Sequence, residues 1–276
     1  MLRVDTHQHF WKYNPVRDQW INENMLTIQR DFLPEDLQPV LQRNRIDGCV
    51  VVQADQSAEE NYFQLKNAMA HEFIRGIVGW VDLRATDIDE QLQYYRQFDK
   101  MKGFRHILQG EKQRDFMLQT EFRRGISLLR NYNFTFDLLV LPDQLKYTSD
   151  FVKLFPDQPF VLNHLAKPNI KEKEISSWRR DIIALARHEN VYCKLSGMVT
   201  EADWHTWQPS DFIPYLDVVV ESFGMKRLMF GSDWPVCLLA GSYERMLKVV
   251  TNYFSSFSRD EQELFFGGNA IQFYKL

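Results

Sequence analysis

Short runs of apolar, mostly β-branched residues recur along the whole chain and alternate with amphipathic segments. Eight such runs lie at residues 4–9, 49–54, 77–83, 103–108, 134–140, 159–164, 191–196 and 227–232. The segments between them carry apolar residues three and four positions apart, most clearly at 59–73, 88–98, 122–130, 145–155, 175–188 and 243–254. Because that spacing is typical of a helix with one buried face, the pattern predicts alternating strands and helices.

The spacing of the runs predicts one closed barrel. Successive runs begin 25 to 45 residues apart, which is the period of parallel strands joined by helical crossovers. No linker rich in glycine, serine or proline divides the chain, so residues 1–276 are expected to form a single domain. A doubly wound open sheet is the alternative, but the G-x-G-x-x-G turn that usually follows its first strand is missing. Eight strand–helix units therefore favour an α/β fold, a single (β/α)8 TIM barrel.

Composition and charge narrow the functional class. The chain has 33 lysine and arginine residues against 37 aspartate and glutamate residues, and it has no basic run, which argues against a nucleic-acid partner. No apolar stretch reaches the roughly 20 residues that span a bilayer, and the polar N-terminus lacks the apolar core of a signal peptide. We therefore expect a cytoplasmic protein without a membrane partner. The three cysteines, Cys49, Cys193 and Cys237, have apolar neighbours that predict buried thiols.

Two irregular segments stand out from the alternating pattern. Residues 10–32 have no periodicity, follow the first strand directly and carry Trp11 and Trp20 among polar residues. Long irregular segments in compact domains usually serve as lids or binding loops, which makes 10–32 a candidate active-site loop. The same aromatic side chains could instead plug the barrel mouth. Near the C-terminus, Gly267 and Gly268 interrupt a helical pattern, which predicts a helix break or a close-packing point.

Polar residues gather where the predicted strands end, and in a parallel barrel those ends converge on one face. The first run contains His7 and His9, which are two residues apart and so lie on the same side of a strand. His164 ends the sixth run, and Asp233 follows the eighth. Three imidazoles and a carboxylate from three strand ends can hold Zn²⁺ or a similar divalent ion, although hydrogen-bonded or surface histidines produce the same H-x-H spacing.

Asp233 is also a candidate general base. A carboxylate with a reference pKa of about 3.9 is ionised at neutral pH and can take a proton from a water, above all from one polarised by a metal. The structural alternative is a helix N-cap before Pro235. Arg105 offers donors to a carbonyl or carboxylate, or else forms a salt bridge at the barrel rim. Lys194 is predicted to meet an acid such as Asp233 or a polar substrate, since a buried unpaired ammonium is costly.

Six motifs, in this order, resemble those of the amidohydrolase superfamily and in particular its lactonase-like branch of TIM-barrel hydrolases. They are Asp5-Thr6-His7-Gln8-His9-Phe10-Trp11, Gly79-Trp80-Val81-Asp82-Leu83, Gly103-Phe104-Arg105-His106, Asn163-His164-Leu165-Ala166-Lys167-Pro168, Cys193-Lys194-Leu195-Ser196-Gly197 and Phe230-Gly231-Ser232-Asp233-Trp234-Pro235. The resemblance extends from Val4 to Tyr274. It implies hydrolysis of sugar-acid lactones such as L-fucono- or L-rhamnonolactone, and it assigns His7, His9, His164 and Asp233 to the site.

The sequence departs from superfamily members that hold two metals. The fifth run offers no histidine, and the fourth offers Arg105-His106 without a bridging lysine or glutamate. The resemblance therefore implies at most one divalent ion, with zinc as the first choice. Because some relatives in this branch work without any metal, a metal-independent enzyme is left open.

The mechanism that the resemblance implies opens a lactone by general-base catalysis. Asp233 takes the proton of the attacking water and returns it to the leaving alkoxide, while His164 with the other histidines holds the water or the carbonyl, and Arg105 and His106 polarise the carbonyl. Substrate-binding roles fall to Lys194, Asn163, Trp234 and Trp11. Two other functions stay open: decarboxylation of an aromatic acid, as in related enzymes, and a non-catalytic sugar-binding barrel. The expected partner is a small lactone, and a homo-oligomer is left open.

Overall fold

Eight parallel strands form one sheet whose spatial order follows the chain, β1 to β8. The computed structural model describes residues 2–276. The strands are β1 Val4–Gln8, β2 Gly48–Val52, β3 Ile74–Gly79, β4 Met101–His106, β5 Thr135–Leu138, β6 Phe160–Leu162, β7 Val191–Leu195 and β8 Leu228–Phe230. Each of the eight predicted runs overlaps one of these strands, so the predicted strand pattern is confirmed.

The barrel closes just beyond the last strand. The backbone N–H of Asp233 donates to the carbonyl of His7 at 2.7 Å, and the N–H of His9 donates to the carbonyl of Trp234 at 2.7 Å. These two bonds join β1 to the segment after β8, which confirms the predicted TIM barrel. They also bring the backbones of His7, His9 and Asp233 into direct contact.

Helices separate the strands and cover the outside of the barrel. They are α1 Pro34–Arg43, α2 Ala58–Ala70, α3 Ile88–Tyr95, α4 Thr120–Leu129, α5 Leu145–Lys153, α6 Ser176–Ala186, α7 Ile213–Phe223, α8 Tyr243–Tyr253, α9 Arg259–Glu263 and α10 Asn269–Tyr274. Helices α1 and α7 lie outside the six segments with the clearest helical spacing. The first contains Pro39 and the second three successive valines, both of which weaken a helical signal. Across residues 2–276, no helix combines the length and apolar character that crossing a membrane requires.

The last helix covers the barrel end where the strands begin. A buried apolar cluster joins strand side chains to α10 and consists of Val4, Val50, Val52, Val78, Val161, Met229, Ala270, Phe273 and Tyr274. On the same side, the ammonium of Lys102 donates to the carbonyl of Lys275 at 3.0 Å. The ends at which the strands terminate, with their functional groups, therefore lie at the opposite, open end of the barrel. The three cysteines are buried and free, as the apolar neighbours predicted.

The glycine pair near the C-terminus is a close-packing point rather than a helix break. A π-helical turn, Leu264–Gly268, connects α9 to α10 without interrupting the helical path. A Cβ atom at Gly267 would overlap the carbonyl oxygen of Leu2. Glycine at this position therefore lets the C-terminal helices pack directly on the chain that leads into β1.

Candidate active site

A cavity of about 210 Å³ opens at the barrel end where the strands terminate. It is lined by His9, Trp11, Trp20, Ala54, Arg105, Ile107, Gln109, Leu139, His164, Lys167, Asp233 and Val236. The lining residues come from strand ends, from the segments that follow them, and from the 10–32 loop. Apolar walls with a few convergent polar groups are the usual form of a small-molecule site, and this is the face on which TIM barrels carry their chemistry.

His7, His9, His164 and Asp233 meet around one carboxylate oxygen. From Asp233 Oδ1, the Nε2 atoms lie at 3.3 Å for His9, 3.8 Å for His164 and 3.9 Å for His7. Ligand atoms of His7, His164 and Asp233 all lie within 4.8 Å of one another. The structure thus brings together all four residues that the strand ends predicted, and all four are buried.

Hydrogen bonds to the far ring nitrogens orient two of the histidines. His9 Nδ1 lies 2.7 Å from the carbonyl oxygen of Val52, and His164 Nδ1 lies 2.9 Å from Ser196 Oγ. Because a carbonyl oxygen only accepts, His9 Nδ1 carries the hydrogen, and the neutral ring presents its Nε2 lone pair to Asp233. Two acceptors 3.3 Å apart repel each other, so this arrangement favours a proton or a cation between them.

The donor set fits one divalent ion. Ligand atoms around a tetrahedral zinc, with bonds of about 2.0–2.1 Å, are about 3.4 Å apart. The distances from Asp233 Oδ1, 3.3 to 3.9 Å, are close to that spacing. The ligand atoms that lie close enough together to share one ion are those of His7, His164 and Asp233. His9 Nε2 contacts the same carboxylate oxygen at 3.3 Å, and Arg105 Nη1, 3.2 Å from His7 Nε2, competes with an ion for that lone pair.

Burial sets the protonation states of the site. It lowers the pKa of His164 to about 3 and lowers the pKa of His7 and of His9 below its ordinary value. Burial works to raise the pKa of Asp233, but the contacts with His164 and His9 outweigh it, and the pKa lies below its ordinary value. Neutral imidazoles beside an ionised carboxylate suit both metal ligation and general-base catalysis.

Arg105 places a fixed positive charge on the cavity wall. Its Nη1 contacts His7 Nε2 at 3.2 Å and donates to Asn163 Oδ1 at 3.4 Å, while its Nη2 donates to the carbonyl of Gln53 at 2.5 Å. Burial lowers its pKa to about 10, which still leaves the guanidinium protonated at neutral pH. The side chain is therefore rigid, charged and aimed by its neighbours before any ligand arrives.

The acid that meets Lys194 is Asp137, not Asp233. Lys194 Nζ lies 2.6 Å from Asp137 Oδ2, and both side chains are fully buried. The same carboxylate accepts from Asn163 Nδ2 at 2.9 Å and from the Tyr274 hydroxyl at 3.0 Å. Lys194 and Asn163 lie behind the cavity rather than in its lining. Lys194 is linked to the cavity through His7, whose Nδ1 lies 3.5 Å from Lys194 Nζ. Asn163 is linked to it through Arg105, whose Nη1 donates to Asn163 Oδ1 at 3.4 Å.

His106 and Trp234 also lie behind the cavity wall. Neighbouring residues of a strand point to opposite faces, so His106 turns away from the cavity that Arg105 lines. Its Nε2 lies 2.7 Å from Glu111 Oε1, and the role expected for it in polarising a carbonyl has no geometric support. Trp234 packs edge-on against Phe32, with ring centroids 5.2 Å apart.

The 10–32 loop supplies an aromatic wall of the cavity. Trp11 and Trp20 both line it and pack edge-to-face, with ring centroids 6.0 Å apart. The backbone of Trp11 pairs with that of Phe32 through two hydrogen bonds of 2.9 Å, which ties the two ends of the loop together. The loop therefore contributes to the cavity and also packs against the barrel mouth, so the two expectations for it are not exclusive.

Two polar residues of the cavity were not predicted from the sequence. Gln109 follows β4, and Lys167 lies three residues after His164 in a motif whose other polar residues had been assigned. Each stands just beyond a strand end. That position was the available signal, since loops after barrel strands build the site.

Comparison with known proteins identifies the family. The amidohydrolase family matches residues 4–276. The chain belongs to the amidohydrolase family. An L-fucono-1,5-lactonase from Burkholderia multivorans is 37% identical over 286 residues, covering 100% of this chain and 96% of the relative. An L-fucono-1,5-lactonase from Burkholderia ambifaria is 35% identical over 282 residues, with coverage of 100% and 96%.

Solved structures agree with this assignment. The crystal structure of a Burkholderia multivorans amidohydrolase with bound zinc is similar at a TM-score of 0.96 and 38% identity, and the match covers 100% of both chains. Decarboxylases with the same fold are only 10% and 12% identical, which shows the fold alone. The family resemblance that the six motifs indicated is therefore confirmed.

Proposed function

We propose that this protein hydrolyses a sugar-acid lactone, with Asp233 as the general base. The observation that carries the proposal is an ionised carboxylate 3.3 to 3.9 Å from three imidazoles at the wall of a small cavity. The substrate class follows from the full-length similarity to two L-fucono-1,5-lactonases. A cavity of about 210 Å³ suits a ligand of this size rather than a polymer.

The chain's own residues account for each proton. Asp233 holds a water and takes its proton as the water oxygen attacks the lactone carbonyl carbon. Arg105 stabilises the negative charge that forms on the carbonyl oxygen. When the tetrahedral intermediate collapses, the ring C–O bond breaks, and protonated Asp233 returns its proton to the leaving alkoxide. One water is consumed, and the product is an open-chain hydroxy acid that ionises to a carboxylate.

His7, His164 and Asp233, with His9 beside the same carboxylate oxygen, would hold one divalent ion, and zinc suits this nitrogen and oxygen set. When bound, such an ion lowers the pKa of a water and polarises a carbonyl. Elemental analysis of the purified protein should find at most one equivalent per chain, with activity that follows occupancy. Two equivalents would contradict the single site, and full activity of metal-free protein would contradict any role for the ion in turnover.

Replacing Asp233 by Asn tests the base. The amide keeps the size of the side chain but cannot accept the proton, so kcat on L-fucono-1,5-lactone should fall by about 10²–10⁴-fold, while the affinity for the ring-opened acid changes far less. Asp150→Asn, at an exposed position of α5, is the matched control. Hydrolysis is followed with a pH indicator on a panel of aldonolactones.

The outcomes separate the candidate functions. Wild-type turnover by Asp233→Asn would exclude Asp233 as the base. A wild-type protein that binds sugar acids but hydrolyses no aldonolactone would support the non-catalytic barrel instead. A parallel assay for CO₂ release from aromatic acids tests the decarboxylase alternative.

A further inference from the structure

Lys167 is a charged side chain in the cavity that the proposed mechanism does not use. It lines the cavity together with Arg105 and Asp233. Within residues 2–276 its ammonium has one ion-pair contact, with Glu201 Oε1 at 3.4 Å, and its side chain is 24% exposed. Arg105, the other cation of the wall, is held by three polar contacts to neighbouring residues. An ammonium carries three donors, so Lys167 keeps donors for a ligand.

The backbone that carries Lys167 is strained. His164, Leu165, Ala166 and Lys167 have φ values of 54°, 53°, 58° and 49°, four successive non-glycine residues in the left-handed region. Each costs free energy because its Cβ crowds the backbone. Lys167 also precedes Pro168, and the residue before a proline is normally extended. Such outliers persist only where their surroundings over-determine them, and they concentrate at functional sites.

Surrounding residues hold this turn in place. The indole N–H of Trp178 donates to the carbonyl of Leu165 at 2.7 Å, and the Lys167 N–H donates to the carbonyl of His164 at 2.7 Å. Gly197, itself at φ 63°, lies so close that a Cβ there would come within 2.5 Å of His164 Nδ1. The turn therefore fixes His164 and Lys167 relative to each other on the same cavity.

The contact with Glu201 shows that the ammonium can take a carboxylate partner, but it is a loose one. Charge-assisted N–H···O bonds are about 2.7–2.9 Å long, whereas this contact is 3.4 Å. A better placed carboxylate in the cavity could therefore attract Lys167 without first breaking a strong bond.

We propose that Lys167 binds the carboxylate of the ring-opened sugar acid. This inference rests on the proposed lactone hydrolysis, which turns a neutral substrate into an anion beside Asp233. Two carboxylates in one small cavity repel each other, so the product needs a cation that the neutral lactone does not need. In the proposed mechanism Arg105 already faces one carbonyl oxygen, and it is also tied to His7, Asn163 and Gln53, so the second oxygen of the product carboxylate needs another cation. Lys167 supplies the missing positive charge and makes the cavity prefer the acid over a neutral polyol.

Binding measurements on the intact protein test this role. Isothermal titration compares L-fuconate with L-fucitol, a neutral polyol of the same carbon chain. Lys167→Met should weaken L-fuconate binding about 10- to 100-fold, the usual effect of losing a hydrogen bond to a charged group, and should leave L-fucitol binding nearly unchanged. Lys167→Arg should retain most of the L-fuconate affinity. Lys171→Met is the matched control, since that lysine is on the same segment, pairs with Asp203 at 3.9 Å and is 59% exposed.

A Glu201→Gln variant separates ligand binding from a purely structural ion pair. If Lys167 served only to hold Glu201, both substitutions would change L-fuconate binding alike. We expect Glu201→Gln not to weaken it. Lys167→Met with wild-type affinity for L-fuconate, in a protein whose wild type hydrolyses the lactone, would overturn this inference alone. A wild type that neither hydrolyses the lactone nor binds L-fuconate would overturn both this inference and the proposed function.

Discussion

Replacing Lys194 by Met removes one half of a fully buried ion pair inside the barrel. Lys194 Nζ and Asp137 Oδ2 are 2.6 Å apart, and neither side chain has any exposed surface. Met has a similar length and no charge, so the substitution changes the electrostatics with little change in packing. Asp137 would keep two neutral donors, Asn163 Nδ2 and the Tyr274 hydroxyl, but would lose its counter-charge.

The expected cost follows from this geometry. Removing one partner of a buried pair leaves an uncompensated charge and lowers the free energy of unfolding by about 3–5 kcal/mol. Removing both charges, in the double variant Lys194→Met with Asp137→Asn, avoids that penalty, since a buried pair replaced by neutral groups is often close to neutral in stability. The double variant should therefore be more stable than Lys194→Met alone.

Urea unfolding at pH 7 of the wild type, both single variants and the double variant measures these free energies. The buried-pair account would be refuted if Lys194→Met lowered the free energy of unfolding by less than about 1 kcal/mol. It would also be refuted if the change in the double variant equalled the sum of the changes in the two single variants. A stable double variant that has lost its affinity for L-fuconate would instead support direct substrate binding by Lys194.

Three further substitutions test the site and its surroundings. Burial raises the pKa of Glu60 to about 7 from an ordinary 4.5. The fold therefore favours the protonated carboxyl, and the free energy of unfolding should fall as pH rises from about 4.5 to 7. Urea unfolding at several pH values should show a smaller pH dependence in Glu60→Gln than in the wild type. Gly197→Ala, which pushes on the His164 ring, should lower kcat/KM at least about tenfold, and wild-type kinetics would mean that the ring position is not needed. His106→Gln should change kcat/KM by less than about tenfold, and a loss as large as that of Asp233→Asn would contradict its place outside the cavity.

The fold could be predicted from the sequence because the strands of a parallel barrel are buried on both faces and stand out as apolar runs. The first and last residues of the strands were predicted less accurately than their number and order. The third was predicted at 77–83, whereas β3 is Ile74–Gly79, because Val81 and Leu83 are buried in the following loop and extend the apolar pattern. At the start of β3, the exposed Arg75 hides the beginning of the strand.

The convergence of His7, His9, His164 and Asp233 was predictable because strand ends meet on one face of any such barrel. The pairing of Lys194 with Asp137 was not predictable, because β5 and β7 are separated by β6 and the contact between these side chains crosses the barrel interior. Side-chain alternation could have shown that only one of two neighbours, Arg105 and His106, faces the cavity. The left-handed turn from His164 to Lys167 left no sequence signal, since none of its four residues is glycine.

The contacts of His7 limit where the catalytic proton can go. Arg105 Nη1 lies 3.2 Å from its Nε2 and Lys194 Nζ lies 3.5 Å from its Nδ1. A ring between two cations gains nothing from a second proton, and burial together with these charges lowers the pKa of His7 well below its ordinary value. His9 donates its Nδ1 hydrogen to the carbonyl of Val52 and turns its Nε2 lone pair towards Asp233, and burial lowers the pKa of the ring below its ordinary value. Among the groups around the shared oxygen, Asp233 alone is an anion, and this is why we propose the carboxylate rather than an imidazole as the base.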